Sequence, residues 1–365
     1  MSQAATELKP ASTPNAGSEA TRSLSIKRVL FVIPGDPVGH SMIFARRQAG
    51  ILANEGIEVS SFNLAARTSF FGLVQEALRL RRMLKQEKPE VIHAHYGTVT
   101  ALFSALAAPQ LPLVITFRGG DLNPAGPTTR LATRIRSLAA RLMSQLAALF
   151  AARIICVSSQ LRSRLWWRQN LVEILPSGTD TSKFFPMSQS DARARLNWQV
   201  DDRVILFNAG RDAQNKRLDL AQEAFAILCQ RIDRVKLMVL DGTTNPNTMP
   251  LLMNAASCLL MTSDREGSPT VIQEAMACNL PIISVEVGDA VERLEGVSRS
   301  RIVAREAGAI SSALESVLAT EERSNGALKV NEFCSEHVAR ALARTYCTAK
   351  RNDIRARRKK KTSRN

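Results

Sequence analysis

The chain has 365 residues, of which 45% are hydrophobic and 22% charged, with a formal net charge of +16 at pH 7. This length suits two ordinary domains, each able to bury its own core. No window approaches the roughly 18 apolar residues that span a bilayer, so the sequence predicts a soluble or peripheral protein and excludes a membrane-spanning one.

Strands alternate with helices over residues 27–183. The first predicted strand, residues 29–33, leads into a loop with Gly35 and Gly39 and then a helix over 42–55. Later strands are predicted in GIEVSSFNL, PEVIHAH, LPLVITF and RIICVSS, with helices over 73–86, after Gly97 and over 128–152. Strands rich in Val and Ile that alternate with helices form a parallel sheet covered on both faces. This part of the chain therefore predicts a doubly wound, Rossmann-like domain.

The pattern restarts after the turn PSGTDTSKFFP. Residues 184–202 are polar and predict a linker, and residues 203–334 predict a second Rossmann-like domain with strands in DRVILFNAG, VKLMVLDG, CLLMTS and PIISVEV. A helix over 335–349 is expected to pack across the two halves. Ligands of such sheets bind beyond the carboxyl ends of the strands, so two facing domains predict a cleft lined by the loops that follow the strands.

The two ends of the chain have biased compositions. Residues 1–26 are rich in Ala, Ser, Thr and Pro and lack the apolar core of a signal peptide, which predicts a disordered leader. Residues 350–365 contain nine Lys or Arg and one Asp and predict a disordered basic tail. The tail either aids solubility or binds anionic phospholipid. Nucleic acid is a disfavoured partner, because no aromatic residues for base stacking accompany the basic run.

The six cysteines show no CxxC spacing and mostly lie among apolar residues. This distribution is typical of reduced core thiols in a cytosolic protein. The predicted location is the cytoplasm. A peripheral position at the inner face of the cell membrane is a further option.

Two glutamates flank a Gly-Ser-Pro turn in SDREGSPTVIQEAMACNL. Ser268 and Pro269 predict a helix start, with the Ser side chain capping free amides and Pro placed where its missing N–H costs nothing. The helix is expected to end at Asn279, which tolerates the left-handed conformation. Glu266 and Glu274 then lie close to a helix N-terminus that attracts anions, which predicts a site for a phosphorylated ligand.

The first loop of the second domain, NAGRDAQNKRLD, carries Arg211 and Lys216 between a strand and a helix. Arg offers a rigid fork and Lys a point charge, and together they can neutralise a diphosphate. The alternative is an ordinary solvated loop, which the two basic residues by themselves would favour. The expected position of this loop opposite the Glu266 loop favours diphosphate binding.

These segments resemble glycosyltransferase family 4, the retaining nucleotide-sugar transferases of the GT-B fold. The resemblance covers about residues 28–348. It rests on GRDAQNKRLDLAQEAF, SDREGSPTVIQEAMACNLPIISVEVGDAVERL, VIHAHYG and VITFRGGDL. It implies two facing Rossmann-like domains, the first for a glycan or lipid-linked acceptor and the second for a nucleotide-diphosphate sugar. It also implies that the enzyme needs no metal and no cofactor besides its donor substrate.

The resemblance assigns roles by position. Arg211 and Lys216 would bind the donor diphosphate, Glu266 would contact the transferred sugar, and Glu274 would accept hydrogen bonds from the nucleotide ribose. The residues that would approach the donor mainly through their backbone are Gly39, Gly210, Gly267, Ser268, Thr270 and Val271.

The sequence departs from the family pattern at two positions and in one segment, since only a few residues stand between Asp241 and Met249 where the family usually has a long insertion. Arg118, in TFRGGD, stands where many members have a histidine, and it is expected to donate a hydrogen bond to the sugar. Pro269 replaces a frequent glycine in the acidic motif and removes one backbone donor. His95 is expected to belong to the acceptor site, and Asp121 is either its neighbour or part of the turn. A metal held by His93 and His95 is disfavoured, because no third ligand lies nearby in the sequence.

The helix in TTRLATRIRSLAARLMSQLAALFAAR is amphipathic. Such a helix ordinarily packs its apolar face on a core. The alternative is a membrane-facing surface that includes Trp166 and Trp167.

The leading functional prediction is a retaining glycosyltransferase of polysaccharide or glycoconjugate biosynthesis. A nucleotide-sugar epimerase of the same fold is one alternative, since it would convert the donor without an acceptor. A non-catalytic module that binds nucleotide sugar or polyanion is the other.

Overall fold

The computed structural model of the chain describes residues 25–35, 42–126, 131–210 and 212–362, without the side chains of residues 358–361. Its described strands form two sheets, one of six strands and one of five. Every strand pair within both sheets is parallel. The predicted architecture of two Rossmann-like α/β domains is confirmed. No described helix has the length and apolar character to span a bilayer.

The first domain alternates strands and helices as the sequence predicts. Its elements are β1 (Arg28–Pro34), α1 (Ile43–Ala53), β2 (Glu58–Leu64), α2 (Phe70–Glu87), β3 (Val91–His95), α3 (Thr98–Ala107), β4 (Leu113–Phe117), α4 (Leu131–Ala148), β5 (Arg153–Cys156), α5 (Ser159–Ser163) and β6 (Val172–Ile174). The sheet has the strand order β2-β1-β3-β4-β5-β6. Its central strands β3 and β4 are buried along their whole length. The edge strand β6 was not predicted, because three residues are too few to show a hydrophobic period.

The second domain follows a short connection. Its elements are α6 (Gln189–Leu196), β7 (Arg203–Asn208), α7 (Ala213–Lys216), α8 (Leu218–Leu228), β8 (Val235–Leu240), α9 (Met249–Ala255), β9 (Cys258–Met261), α10 (Thr270–Ala277), β10 (Ile282–Val285), α11 (Ala290–Leu294), β11 (Arg301–Val303), α12 (Ala307–Leu318), α13 (Ala327–Val330) and α14 (Ser335–Thr362). The second sheet has the strand order β11-β10-β9-β7-β8. The predicted linker at 184–202 contains a helix, α6, whose N-cap Ser188 accepts a hydrogen bond from the Asp191 amide.

The last helix, α14, returns from the second domain to the first. Val338, Leu342 and Tyr346 are fully buried in a core cluster that also contains Phe31 of β1. Residues at both ends of the chain thus build one core, and α14 fixes the first domain to the end of the second.

Helix α14 also continues through the predicted disordered tail to Thr362. Lys and Arg propagate helices well once a nucleus exists, and α14 supplies that nucleus. Lys350 pairs with Glu90, and the Arg357 side chain donates to the Gln110 carbonyl. The prediction of disorder is wrong for residues 350–362. The predicted leader lies almost wholly outside the described residues; of its last two residues, Ile26 is buried.

Candidate functional site

The loops that follow β7 and β9 bring together two of the predicted site residues. Lys216 Nζ lies 2.5 Å from Glu266 Oε1, and both side chains are mostly buried. Two hydrogen bonds hold the loops in place: the Asp264 amide donates to the Asn215 carbonyl (2.8 Å), and the Thr262 side-chain hydroxyl donates to the Lys216 carbonyl (2.8 Å). The carboxyl ends of neighbouring strands thus position a lysine–glutamate pair in the cleft.

Helix α10 begins beside this pair, although not with the predicted cap. Ser268 makes no capping bond to the helix amides. Its hydroxyl donates to Asp289 Oδ2 (2.7 Å) and accepts from Gln273 Nε2 (3.0 Å). The predicted end is confirmed, since Asn279 has φ 54°. The first amides of a helix lack partners within it, so Thr270 and Val271 offer N–H donors at this end of α10.

A cavity of about 210 Å³ lies between the two domains here. Arg118 and Ser177 line it from the first domain. Lys216, Glu266 and residues 267–271 line it from the second. The structure therefore gathers in one cavity seven of the predicted site residues: Arg118, Lys216, Glu266, Gly267, Ser268, Thr270 and Val271. Among the other predicted residues, Gly39 and Arg211 lie outside the described part of the chain.

Arg118 is held rigidly by side chains from three distant segments. Its Nη1 donates to Ser177 Oγ (2.9 Å), and its Nη2 donates to Gln48 Oε1 (3.2 Å) and His95 Nδ1 (3.1 Å). The guanidinium also stacks over Phe44, 3.8 Å from the ring centroid. None of these partners is a carboxylate. Burial lowers the pKa of Arg118 to about 9, so it remains a cation at neutral pH and faces the cavity with only neutral direct partners among the described side chains.

The two histidines of β3 lie behind Arg118 and are fully buried. His93 lies 2.8 Å from the Tyr346 hydroxyl and 2.7 Å from the Thr116 hydroxyl. Burial places both histidine pKa values well below the ordinary range, so both rings are neutral. His95 accepts from Arg118 through Nδ1, and its Nε2 therefore carries the proton. His95 thus positions Arg118 instead of lining the cavity.

Hydrogen bonds occupy both ring nitrogens of His93 and Nδ1 of His95. In the part of the chain that the structure describes, no three His, Cys, Asp or Glu side chains converge in a way that could hold a metal ion. The two rings contact each other, with centroids 4.0 Å apart, and lie between Tyr346 of α14 and Arg118 in the cleft.

Glu274, the second glutamate of the motif, lies on α10 and bridges the domains. Its Oε1 accepts from Arg47 Nη1 at 3.5 Å. Burial raises the pKa of Glu274 to about 7, although the Arg47 charge opposes that rise. The carboxyl group is therefore close to half protonated at neutral pH, which makes it sensitive to any ligand that favours one protonation state.

The loop after β4 closes onto the Glu266 loop. Asn123 Nδ2 donates to the Glu266 carbonyl (3.0 Å), and Arg265 Nη1 donates to the Pro124 carbonyl (3.2 Å). Asp121 organises the first of these loops, since its carboxylate accepts from the amides of Gly97, Arg118 and Gly119. The position of Asp121 therefore supports the turn interpretation.

Some site residues carried no detectable sequence signal. Arg47 and Gln48 lie on α1, where nothing local distinguishes them from surface residues. Ser177 lies in the PSGTD turn, which the sequence marked only as a turn. Asp289 lies in the loop after β10. Because ligands bind beyond the carboxyl ends of strands, the sequence identifies that loop as a candidate but does not single out Asp289. Gly210 was predicted, and its φ of 53° lies in the region that favours glycine.

The sequence matches the family model for Glycosyltransferase Family 4 over residues 39–183 and the family model for Glycosyl transferases group 1 over residues 238–320. It is 26% identical over 220 residues to the putative teichuronic acid biosynthesis glycosyltransferase TuaC of Bacillus subtilis, covering 55% of this chain and 54% of that protein. The chain thus spans about half the length of TuaC. It is 23% identical over 321 residues to the capsular polysaccharide biosynthesis glycosyltransferase CapM of Staphylococcus aureus, covering 77% and 82% of the two chains.

Solved structures share the fold. Sucrose-phosphate synthase of Thermosynechococcus elongatus superposes with a TM-score of 0.68 at 18% identity, covering 88% of this chain and 98% of that one. Anabaena Alr3699/HepE in complex with UDP and glucose gives 0.66 at 18% identity, covering 88% and 99%. UDP-GlcNAc 2-epimerase of Methanocaldococcus jannaschii gives 0.55 at 13% identity, covering 87% and 98%. These likenesses show that the two domains have the GT-B arrangement.

Proposed function

We propose, because the chain belongs to glycosyltransferase family 4, that it transfers a sugar from a nucleotide-diphosphate sugar to an acceptor in polysaccharide or glycoconjugate biosynthesis. The observation that carries this proposal is the interdomain cavity, in which Lys216, Glu266 and the first amides of α10 converge. The names of TuaC and CapM refer to biosynthesis of such polymers. The UDP and glucose bound to the HepE protein support a nucleotide sugar as donor.

In the proposed reaction, Lys216 stabilises the negative charge that develops on the departing nucleotide diphosphate. Such preorganised charge is commonly the largest contribution to catalysis. Glu266 holds the lysine side chain in place before the donor arrives and then contacts the transferred sugar. The amides of Thr270 and Val271 donate to the diphosphate or to sugar hydroxyls. Arg118 adds a rigid cation from the first domain.

We further propose that transfer proceeds with retention at the anomeric carbon and without a metal ion. Fixed cations on the protein, Lys216 and Arg118 among them, would supply the positive charge that a metal supplies elsewhere. NMR of the product anomer, with donors screened for turnover, tests retention: a product with the donor's anomeric configuration is expected, and an inverted product would overturn it. Activity that survives prolonged chelation is the expected result for metal independence, and loss that a divalent cation restores would contradict it.

The fold likeness to UDP-GlcNAc 2-epimerase keeps a second candidate open. An epimerase would convert the donor in the absence of any acceptor. Incubating the protein with each donor alone separates the two activities, and a transferase is expected to leave the donor sugar's configuration unchanged.

We propose a glycan or lipid-linked acceptor that enters from the first domain, and a position at the inner face of the cell membrane. The basic end of α14 supports that position, since each Lys or Arg near an anionic leaflet contributes about 1 kcal/mol of attraction.

Glu274 provides a prediction about pH. We propose that its carboxylate accepts hydrogen bonds from the nucleotide ribose, which only the deprotonated form does fully. Its unliganded pKa of about 7 means that binding must expel a proton at lower pH. The affinity for nucleoside diphosphate is therefore expected to fall as pH drops below 7, approaching a loss of about tenfold per pH unit. Isothermal titration calorimetry between pH 5.5 and 8 measures this change in affinity.

The control is Glu274→Gln with the same ligand, because ionisation of the diphosphate affects both proteins equally. The variant is expected to bind more weakly at pH 8 and to lose the Glu274 contribution to the pH slope. Identical slopes in the two proteins would exclude the ribose role.

A further inference from the structure

The first domain exposes an unusual amount of apolar surface. In the described part of the chain, 20 large hydrophobic side chains are exposed, and 13 of them lie between residues 70 and 166. Single exposed hydrophobic residues are normal, but a contiguous patch marks an interaction surface. This concentration in one domain therefore needs a partner.

Helix α4 forms the centre of the patch. Its buried residues are small or polar: Ser144, Gln145, Ala147 and Ala148. Its large apolar residues form a stripe at spacings of three or four, continued just past its end, and are between 42% and 72% exposed: Leu131, Ile135, Leu138, Leu142, Leu146 and Leu149. The core therefore takes the small-residue side of α4, and the leucine side faces solvent. This arrangement decides against the ordinary interpretation, in which the leucines pack on the core.

The patch continues onto the neighbouring helices. Phe70 and Phe71 at the start of α2 are 75% and 79% exposed, and Leu106 near the end of α3 is 63% exposed. Between α2 and α3 lies an open apolar cavity of about 400 Å³, to which α4 contributes Met143. Trp166, which is 54% exposed, lies next to Trp167, whose indole N–H bonds to the Gln145 carbonyl of α4. We call α2, α3, α4 and Trp166 together the apolar face.

Charge around the apolar face is predominantly positive. Helix α2 contains four Lys or Arg against two acidic residues, Glu76 and Glu87. Residues 122–172, which include α4 and both tryptophans, contain eight Arg and no Asp or Glu. The basic end of α14 reaches the same domain, where Arg357 bonds to Gln110 in the loop after α3. Leucine, phenylalanine and an interfacial tryptophan flanked by arginines form the pattern of a surface that lies on an anionic bilayer.

We infer that the apolar face binds the surface of an anionic phospholipid bilayer, with its hydrophobic side chains in the interfacial layer and its arginines on lipid phosphates. A second copy of the chain fits less well, because two faces of the same net positive charge repel each other. Membrane binding is inferred from the surface itself. It rests on the proposed function only for its purpose, which is to bring a membrane-held acceptor to the enzyme. Helix α4 follows the loop after β4, which contacts the Glu266 loop, so an acceptor held in the membrane would meet the cleft.

Vesicle co-sedimentation with the full chain tests the inference. Wild type is expected to bind vesicles of phosphatidylcholine with phosphatidylglycerol and to bind pure phosphatidylcholine vesicles weakly. The triple variant Ile135→Ser, Leu138→Ser and Leu142→Ser should lose at least about tenfold in partitioning, because apolar area leaves water when the face binds. The matched control exchanges exposed hydrophobic residues of the second half of the chain, Val200→Ser, Val239→Ser and Leu328→Ser, and is expected to bind like wild type.

Exposed positions are chosen so that both variants fold, which the thermal midpoint checks. Equal vesicle binding by wild type and the α4 variant would overturn the inference. So would a wild-type dimer, measured by light scattering, that the α4 variant dissociates, since the face would then bind a second copy. The assay contains neither donor nor acceptor, so it can fail or succeed whatever the outcome for glycosyl transfer.

Discussion

Replacing Lys216 with Ala is expected to lower kcat for sugar transfer by about 10²–10³-fold, the range found when one preorganised donor to a developing negative charge is removed. The Lys216 ammonium group lies in the interdomain cavity beside the α10 amides, where the departing diphosphate is proposed to form. Its loss also leaves Glu266, whose side chain is only 17% exposed, without that counter-ion. The cavity would then become more negative where the reaction makes negative charge.

Steady-state kinetics with the donor found by screening measures this effect. The matched control is Lys236→Ala, which breaks a lysine–carboxylate pair of similar length, 2.6 Å to Asp202, outside the cavity. That variant should keep wild-type kcat. Lys216→Arg retains the charge at a different geometry and is expected to recover part of the rate.

The partition between kcat and KM identifies what Lys216 does. A fall in kcat with little change in KM indicates an interaction made mainly in the transition state, as the leaving-group role requires. A rise in KM alone would indicate that Lys216 only holds the donor. Wild-type kinetics in Lys216→Ala would contradict the placement of the reaction in this cavity.

The architecture could be predicted from sequence because it depends on local regularities. Val- and Ile-rich runs alternate with amphipathic helices, and that pattern specifies parallel sheets covered on both faces. The rule that ligands bind beyond strand carboxyl ends then placed the Lys216 and Glu266 loops at one cleft, and the structure joins them at 2.5 Å. The end of α10 at Asn279 followed from a residue-specific backbone preference.

Non-local packing could not be predicted in the same way. The partners of Arg118 come from Gln48, His95 and Ser177, which are 70, 23 and 59 residues away in sequence. No local pattern records those pairings. Ser268 failed as a cap for the same reason, since Asp289, 21 residues away, takes its hydroxyl.

The α14 tail shows a different limit, in which composition was interpreted without its context. A run of basic residues is solvated when isolated. Here it continues a helix that is already anchored by Tyr346 in the core of the first domain. The unfavourable nucleation step is therefore already complete, and each added Lys or Arg gains one helical hydrogen bond. The Asp353–Arg357 pair, four residues apart, supports the same helix.

The substitution Gly267→Ala is expected to lower activity by about 10²-fold or more, since displacement of a catalytic group by about 1 Å has that effect. A Cβ built on Gly267 would lie 1.8 Å from the Arg118 carbonyl oxygen, which belongs to the backbone of the other domain. Neither loop can absorb this clash through a flexible side chain. The loop after β4 and the Glu266 loop must separate, which widens the cavity and moves Arg118 away from Lys216.

Kinetics and small-angle scattering measure the two consequences, lower activity and a more open molecule. The matched control is Gly308→Ala on α12, where an added Cβ has no heavy atom within 4 Å. That variant should keep full activity and gain up to about 1 kcal/mol in free energy of unfolding, as Ala for Gly does in a helix. Full activity in Gly267→Ala would mean that the reaction does not need the close approach of the two loops, and that cleft closure is not part of catalysis.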